Sequence, residues 1–287
     1  MEHASFRARL STLVLTLLAA GFLGATLVRF GPGFGTDERE LDPRLSAESV
    51  AALRRAHAGD RNLPLFYARY LAGLLKGDLG VSRSLDRPVA ELLRERFPLT
   101  LRTVGTGLAA GWLCGLLLAV LTHFFRIPAF ELLSTVSAGL FLCVPAAVLA
   151  LMFLYWSAPA GLCIAAVIFP RVFRYARNLV LDASGRDHVT TARAKGLGKT
   201  RILIWHILPS IAPELRALLG VSVSMAFTAA IPVEALCDSP GIGQLAWQAA
   251  LARDLPVLTI LTLIVTAVTL VGNFISGATV YEPGSAV

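Results

Sequence analysis

The sequence predicts an all-helical protein that crosses a membrane six times. Hydrophobic residues make up 55 % of its 287 residues and charged residues only 16 %, whereas charged residues are about a quarter of an ordinary soluble domain. The apolar residues are also grouped into long uncharged runs, with Lys and Arg collected at the edges of the runs. This pattern is typical of membrane-spanning helices.

Five uncharged apolar runs are present. They are Leu10–Val28, Thr103–Phe125, Leu132–Pro170, Ala217–Val233 and Leu255–Tyr281. A single span needs roughly 20 apolar residues. The third run is long enough for two spans if the chain turns between Ser157 and Gly161, where small residues and Pro159 favour a turn. The sequence therefore predicts six spans.

The first run has an alternative interpretation. Arg7 and Arg9 precede it, as in a secretory signal peptide, and the small residues Ala19, Ala20 and Gly21 could form a cleavage site. However, the run is longer than the apolar part of a usual signal peptide. We therefore interpret it as a retained first span.

Positive charge predicts the orientation. Basic residues are dense between the fourth and fifth spans: Arg171, Arg174, Arg177, Arg186, Arg193, Lys195, Lys199, Arg201 and Arg216. Loops rich in Lys and Arg remain in the cytoplasm, so this loop is predicted to be cytoplasmic, and with six spans both termini are cytoplasmic too. We attribute the net charge of +7 to topology rather than to nucleic-acid binding.

Residues 30–97 would then form an external segment between residues 1–29, which contain the first span, and a five-helix part at 98–287. Ser46 can cap a helix through Arg55, and Pro64 opens a second helix that ends near Gly77. Asp86 with Pro88 starts a third. We expect a small helical cap that meets an extracytoplasmic partner; the alternative is a solvated loop without a partner.

Small residues recur every four positions in the second span: Thr103, Gly107, Gly111, Gly115 and Ala119. The fifth span repeats the pattern at Gly220, Ser224 and Thr228. Small side chains let another helix approach closely in lipid. We interpret both ridges as packing surfaces and assign them no chemistry.

The last span carries a polar stripe on one helical face: Thr259, Thr262, Thr266, Thr269 and Asn273. These side chains could line a polar translocation path. They could equally bond to neighbouring helices, because hydroxyls serve both purposes in membranes. Both interpretations stay open from the sequence.

The predicted spans show no ionisable residue at mid-depth. Glu234 comes nearest, but it lies beside Pro232 at the outer end of the fifth span. Ion-coupled carriers usually keep ionisable groups or broken helices at the midplane. An ion-coupled secondary transporter or channel therefore remains the alternative to a transporter driven by another energy source.

Other functional classes lack a pattern to support them. Residues Gly196–Thr200 resemble the end of a phosphate-binding loop, but Arg193 stands where the first glycine is needed and no strand precedes it. The histidines are scattered without a Ser/His pair or carboxylate dyad, and His188 with His206 has no third metal ligand nearby. We predict no catalytic residues, no metal site and no cofactor.

Between the fourth and fifth spans, Asp187–Pro209 is predicted to form two short helices bent at Gly196. The second helix would have an apolar side made by Ile202, Leu203, Trp205 and His206. A projecting element of this kind can dock in a groove of another protein.

This loop resembles the signature of the permease subunits of ABC importers. Residues Thr190–Gly196, a gap of nine residues and then His206–Pro209 match its spacing and keep Ala192, Gly196, Leu208 and Pro209. The Ala-Lys-Gly-Leu core at 194–197 is similar to the dipeptide, oligopeptide and nickel branch. Further resemblances to that branch are Gly77–Gly80 with Ser82, Arg87–Val89, Pro98–Leu101, Pro240–Gly243, and Arg253–Asp254 with Pro256.

The resemblance implies a non-enzymatic permease subunit of an ATP-driven importer in the bacterial inner membrane. Its partners would be a second permease, usually a different chain, two ATP-binding subunits and an external solute-binding protein. The loop at about 178–211 would couple to the ATPase through its second helix, with Pro209 ending that helix; the residues concerned are Ala192, Lys195, Gly196, Leu197, Leu208 and Pro209. The implied solutes are peptides first, then nickel or another small solute.

Overall fold

The computed structural model describes residues 2–30, 63–125 and 127–280, and in these ranges the chain is helical apart from turns and one isolated antiparallel bridge between Val81 and Pro88. In chain order the helices are α1 Glu2–Phe30, α2 Leu63–Leu75, α3 Val89–Phe125, α4 Pro128–Cys143, α5 Ala146–Tyr155, α6 Ala160–Ser184, α7 Asp187–Ala194, α8 Lys199–Ile202, a π-helical segment Leu203–Ile207, α9 Leu208–Leu236, α10 Ile242–Leu251 and α11 Leu255–Val280. The predicted all-helical fold is confirmed for the described residues.

The chain forms two compact units. One contains Met1–Arg96 and Leu245–Ala267, and the other contains Phe97–Gln244 and Val268–Val287. We call them the first and second unit. The chain passes from one to the other inside α3, α10 and α11.

Three helices of the described chain are long and apolar enough to cross a membrane: Val89–Phe125, the continuous stretch Lys199–Leu236, and Leu255–Phe274. A fourth crossing is available if the pair α4 and α5, bent by 103°, counts as one broken span. In α1 the apolar stretch is the shorter Ser11–Leu27. Helix α6 has 25 residues, enough to span by length, but it carries three arginines in its second half.

Two helices extend beyond the limits that the sequence pattern suggests. The third apolar run ends at Pro170 and leaves the inner end of the fourth span open, and α6 continues to Ser184. The helix predicted to start near Pro88 is not a separate cap helix, since α3 begins at Val89 and runs through Pro98 into the second apolar run. Proline removes one backbone donor and kinks a helix, but neighbouring helices allow it inside membrane helices.

In the first unit, the predicted helix between Pro64 and Gly77 is present as α2. Gly77 has a positive φ of 80°, which glycine adopts without strain, so that the Asp78 amide donates back to the Gly73 carbonyl at 2.9 Å. Helix α2 is tied to α1 by the Tyr67 hydroxyl, which donates to the Leu18 carbonyl at 2.8 Å. The predicted helix from Ser46 to Arg55 lies outside the described residues.

In the second unit, the glycine ridge of α3 packs on α6. A Cβ at Gly107, Gly111 or Gly115 would stand 2.7–2.9 Å from the side chains of Ile164, Ile168 or Val172, respectively. The side chains of those three α6 residues are buried in the unit's main apolar cluster together with Ala226 and Val233 of α9. The prediction that this ridge is a packing surface is confirmed.

Candidate functional site

The loop between α6 and α9 has an apolar core of its own. Val189 and Ala192 of α7 are buried against Ile202, Leu203 and Ile207 of the following helical segment. Residues at the ends of α3, α6 and α9 complete the cluster: Val120, Phe124, Leu179, Val180, Ala183, Leu208, Ile211 and Leu215. The loop is therefore a stiff element that is anchored on the helices of the second unit.

Gly196 makes the bend that the sequence predicts between the two loop helices. Its φ is 80°, in the left-handed region that favours glycine, and no atom lies within 4 Å of a Cβ built there. The Gly196 amide donates to the Arg193 carbonyl at 3.0 Å and the Leu197 amide to the Ala192 carbonyl at 3.3 Å. Glycine is needed here for its backbone conformation and not for space.

The outward face of the loop differs from the predicted one. Ile202 and Leu203, which were expected to contact a partner, are buried in the loop core. Ile204 and Trp205 point outward instead, with 48 % and 72 % of their surfaces exposed, and His206 is half-buried. Exposed cations accompany them at Arg193, Lys195, Lys199 and Arg201.

The expected stop at Pro209 is also wrong. The second loop helix passes through the π-helical segment Leu203–Ile207 directly into α9, where Pro209 occupies the first turn. Proline is tolerated in a first turn because its missing N–H would have no partner there. The wider π turn therefore joins the loop to α9 without a break.

Two of the motifs that carried the family resemblance meet at Glu234 of α9. Its carboxylate is fully buried, and Oε2 accepts hydrogen bonds from the Thr100 hydroxyl of α3 at 3.0 Å and the Gly243 amide at 2.7 Å. The Thr100 oxygen in turn accepts from the Ile242 amide at 2.8 Å. A Cβ at Gly241 would clash with the Glu234 carboxylate. Sequence analysis missed this role, although the paired motifs around residues 98–101 and 240–243 were visible.

Two other motifs meet in the first unit at Asp254. Its buried Oδ2 accepts from the Ser82 hydroxyl at 2.6 Å and from the Ser84 amide and hydroxyl at 3.0 and 2.9 Å. The Tyr70 hydroxyl donates to the Pro256 carbonyl at 3.1 Å. Burial, reinforced by the negative charges of Asp78 and Asp254, raises the pKa of Tyr70, so its phenol stays protonated and keeps donating.

The residues of the polar stripe all lie on α11, but their surroundings and their burial differ. In the first unit, Thr259 is buried and Thr262 packs against Gly24 of α1; both hydroxyls bond to the carbonyls four residues before them. Thr266 is half-buried in the same unit. In the second unit, the Thr269 carbonyl accepts a 3.5 Å bond from the Ser224 hydroxyl, while Asn273 is exposed.

The residues that resemble a phosphate-binding loop lie between α7 and α8, so a helix and not a strand precedes them. Such a loop needs a strand before it. Within the described ranges, no group of three or more His, Cys, Asp or Glu side chains is arranged to hold a metal ion.

These features define a helical membrane protein with a compact loop between α6 and α9 that has its own apolar core. Residues 92–281, more than half of the chain, match the family described as binding-protein-dependent transport system inner membrane component. The chain belongs to this family. It is therefore the permease subunit of an ATP-driven importer, and ATP hydrolysis resides in partner subunits.

Relatives and one solved structure agree with this membership. A protein of Brucella suis biovar 1, provisionally named a peptide permease, is 27 % identical over 91 % of both chains. The glutathione transport system permease protein GsiC of Salmonella paratyphi A is 26 % identical over 87 % of both chains. An inward-facing structure of the MetNI methionine ABC transporter matches with a TM-score of 0.56 and 20 % identity, over 66 % of this chain and 97 % of the other; at this identity it shows the fold alone.

Proposed function

We propose that this chain is one permease of a peptide importer and that it forms half of the translocation path. Its relatives are named for peptide and glutathione transport, and both solutes are peptides or peptide-like molecules with free carboxylates. The second permease is a different chain of similar fold, and an external binding protein delivers the solute. The complex sits in the bacterial inner membrane.

The proposed topology has six spans, formed by α1, α3, the bent pair α4–α5, α6, α9 and α11. Both termini and the loop at residues 185–202 lie in the cytoplasm. The positive-inside rule supports this orientation, because Arg186, Arg193, Lys195, Lys199 and Arg201 remain in the loop after α6 and α9 have taken the other basic residues. Residues 30–88 lie outside and receive the binding protein.

The loop is the surface on which we propose that the ATPase docks. The single observation that carries this proposal is the packing of the loop. The apolar side chains Val189, Ala192 and Ile202 of α7 and α8 are buried in an internal core, and the exposed residues include several cations and the protruding Ile204 and Trp205. A stiff loop transmits a push from the ATPase to α6 and α9, whereas a flexible one would absorb it. The six loop residues singled out by the sequence divide accordingly: Ala192, Leu197 and Leu208 belong to the core, and Lys195, Gly196 and Pro209 are exposed.

The experiment compares two charge reversals of the same kind. Lys195 in the loop and Lys76 after α2 are both exposed, and neither supports the core. In detergent-extracted membranes, we expect Lys195→Glu combined with Arg193→Glu to weaken co-purification of the ATPase subunits about tenfold or more, because like charges placed across an interface repel. Lys76→Glu should retain the ATPase like the wild type.

Two results would count against this assignment. Equal retention of the ATPase by both variants would show that the outward face of the loop is not the docking surface. Absence of any ATPase from the wild-type preparation, with solute uptake by the purified chain alone, would favour a stand-alone carrier instead.

A further inference from the structure

With α6 as a span of the proposed topology, Arg171 lies near the middle of the membrane. The register between α6 and α3 shows this, because Gly115 of α3 contacts Val172, the next residue after Arg171. Gly115 is close to the centre of the uncharged run Thr103–Phe125. At 1.5 Å per residue it is about 18 Å from the beginning and about 15 Å from the end of that run. Because the apolar run ends at Pro170, sequence analysis counts Arg171 among the basic residues that follow it and leaves the inner end of the fourth span open.

Helix α9 gives an independent measure of the same depth. The Arg171 guanidinium contacts the Met225 sulfur at 2.8 Å. Met225 precedes Glu234 by nine residues, which is about 13 Å along the helix. Glu234 is held at the level of Thr100, just outside the uncharged run of α3. Both neighbours of α6 therefore place Arg171 well inside the apolar layer.

Arg171 and Arg174 share an exposed side of α6. They are three positions apart, so they lie on one helical face. Both side chains are exposed, whereas the intervening Val172 and Phe173 are fully buried. The third arginine of the helix differs from this pair. Arg177 forms an ion pair with Glu131 of α4; among the described residues, no ion pair is found for Arg171 or Arg174.

Lipid is an unfavourable neighbour for such a face. An arginine side chain that faces the centre of the bilayer is costly to insert. Intramembrane arginines almost always face water-filled cavities or charged groups. The face with Arg171 and Arg174 must therefore open on water or meet an anion.

We propose that Arg171 and Arg174 line the solute path and bind the carboxylate of the solute in transit. This inference rests on the proposed function, since peptides carry such a group. The planar guanidinium forms paired hydrogen bonds with a carboxylate. Two of them along one face provide successive anion contacts at mid-depth. Met225 and the exposed Thr228 of the adjoining α9 give this part of the path a mixed apolar and polar wall.

The test measures the reactivity of single cysteines in the assembled transporter, after replacement of the four native cysteines by alanine. Arg171→Cys is compared with Leu113→Cys, whose side chain is exposed at a similar depth on α3 and lacks cationic neighbours on its face. The probes are two membrane-impermeant methanethiosulfonate reagents, one ending in a sulfonate and one in a trimethylammonium group. Co-purified ATPase subunits and their ATP hydrolysis are recorded separately and report on the proposed function.

We expect the sulfonate reagent to modify Arg171→Cys about tenfold or more faster than it modifies Leu113→Cys. At Arg171→Cys the sulfonate reagent should also react faster than the cationic reagent, because Arg174 attracts anions. The preference for the anionic reagent should disappear in Arg171→Cys combined with Arg174→Gln. Arg174→Cys provides a second site with the same expectation.

Three results would overturn the inference while the ATPase is still bound. Unreactive cysteines at both positions would mean that the face is sealed, for instance by an ion pair with an acidic residue of the second permease. Equal rates with the two reagents would mean a path without anion selection. A rate like that of Leu113→Cys would mean a lipid-facing surface.

Discussion

At the scale of single residues, two buried carboxylates fix turns through hydrogen bonds. Glu234 fixes the Gly241–Gly243 turn against α3 in the second unit, and Asp254 fixes the Ser82–Ser84 segment in the first. A buried carboxylate needs such donors, because an unpaired buried charge is costly. Each therefore stabilises its turn only as long as its donors remain in place.

The contribution of Glu234 can be measured by substitution. We expect Glu234→Ala to lower the free energy of unfolding by about 3 kcal/mol, because two hydrogen bonds to a charged group are lost inside the protein. Glu91→Ala, at an exposed carboxylate, is the control and should change little. Unfolding of the detergent-solubilised protein is followed by tryptophan fluorescence.

A double-mutant cycle separates this hydrogen bond from the cavity that alanine leaves. Thr100→Val combined with Glu234→Ala should show a coupling of about 1 kcal/mol. Strictly additive effects of the two substitutions would mean that the 3.0 Å contact contributes no measurable stability.

Sequence analysis predicted these two sites only in part. The short motifs containing Thr100, Gly241, Ser82 and Asp254 were recognised as family features, but their pairing was not. The partners lie 134 to 172 positions apart in the chain, and no local periodicity records such a distance. Only the folded arrangement shows that each pair of motifs forms one hydrogen-bonded cluster.

At the scale of helices, α3 shows how small residues set an interhelical distance. Gly111 is buried under Ile168 of α6, with 2.9 Å between an added Cβ and the Ile168 Cβ, whereas Gly105 of the same helix has nothing within 4 Å. The two glycines have the same intrinsic helix propensity, so substitutions at them differ only in packing.

We therefore expect Gly111→Val to destabilise the protein by about 1–3 kcal/mol through overpacking, and Gly105→Val to be tolerated. The fraction of folded protein that survives heating, measured by size-exclusion chromatography in detergent, compares the two. An equal loss for both variants would contradict the close contact between α3 and α6.

Helix ends were predicted less well than helix existence. The glycine-based ends near Gly77 and Gly196 were found where expected, because a positive φ is a local requirement. The helix stop assigned to Pro209 was wrong, because Pro209 lies in the first turn of α9. The inner end of the fourth span was left open by the sequence, and α6 continues from Pro170 to Ser184. Whether a proline ends a membrane helix depends on the neighbouring helices that accommodate it, and a local pattern does not contain them.

At the scale of the whole molecule, the proposed orientation places the segment after α2 outside and the loop between α6 and α9 inside. Lys76 and Lys195 are exposed residues of these two parts. If an odd number of spans separates the two lysines, they lie on opposite sides of the membrane. If the number is even, they lie on the same side. Labelling decides between these arrangements without any knowledge of the solute.

In a cysteine-free background, a membrane-impermeant maleimide should label Lys76→Cys in intact cells. Lys195→Cys should react only after the inner membrane is permeabilised. Labelling of both positions in intact cells would contradict the six-span topology. Leu113→Cys, in the uncharged apolar part of α3, serves as a control that should stay unlabelled.

The π-helical segment at Leu203–Ile207 also determines the phase between the loop and α9. A π turn accommodates one residue more than the corresponding α turn, so a deletion within it can restore a regular α-helix without breaking the chain. One residue corresponds to about 100° of rotation at 3.6 residues per turn. Deleting the extra residue inside the π turn should therefore leave the loop and α9 close to their present relative phase, whereas deleting one residue from a regular turn of α9 would rotate the loop by about 100° relative to the rest of that helix. Moving the π turn to another position in α9 would change the orientation only of the residues between its old and new positions.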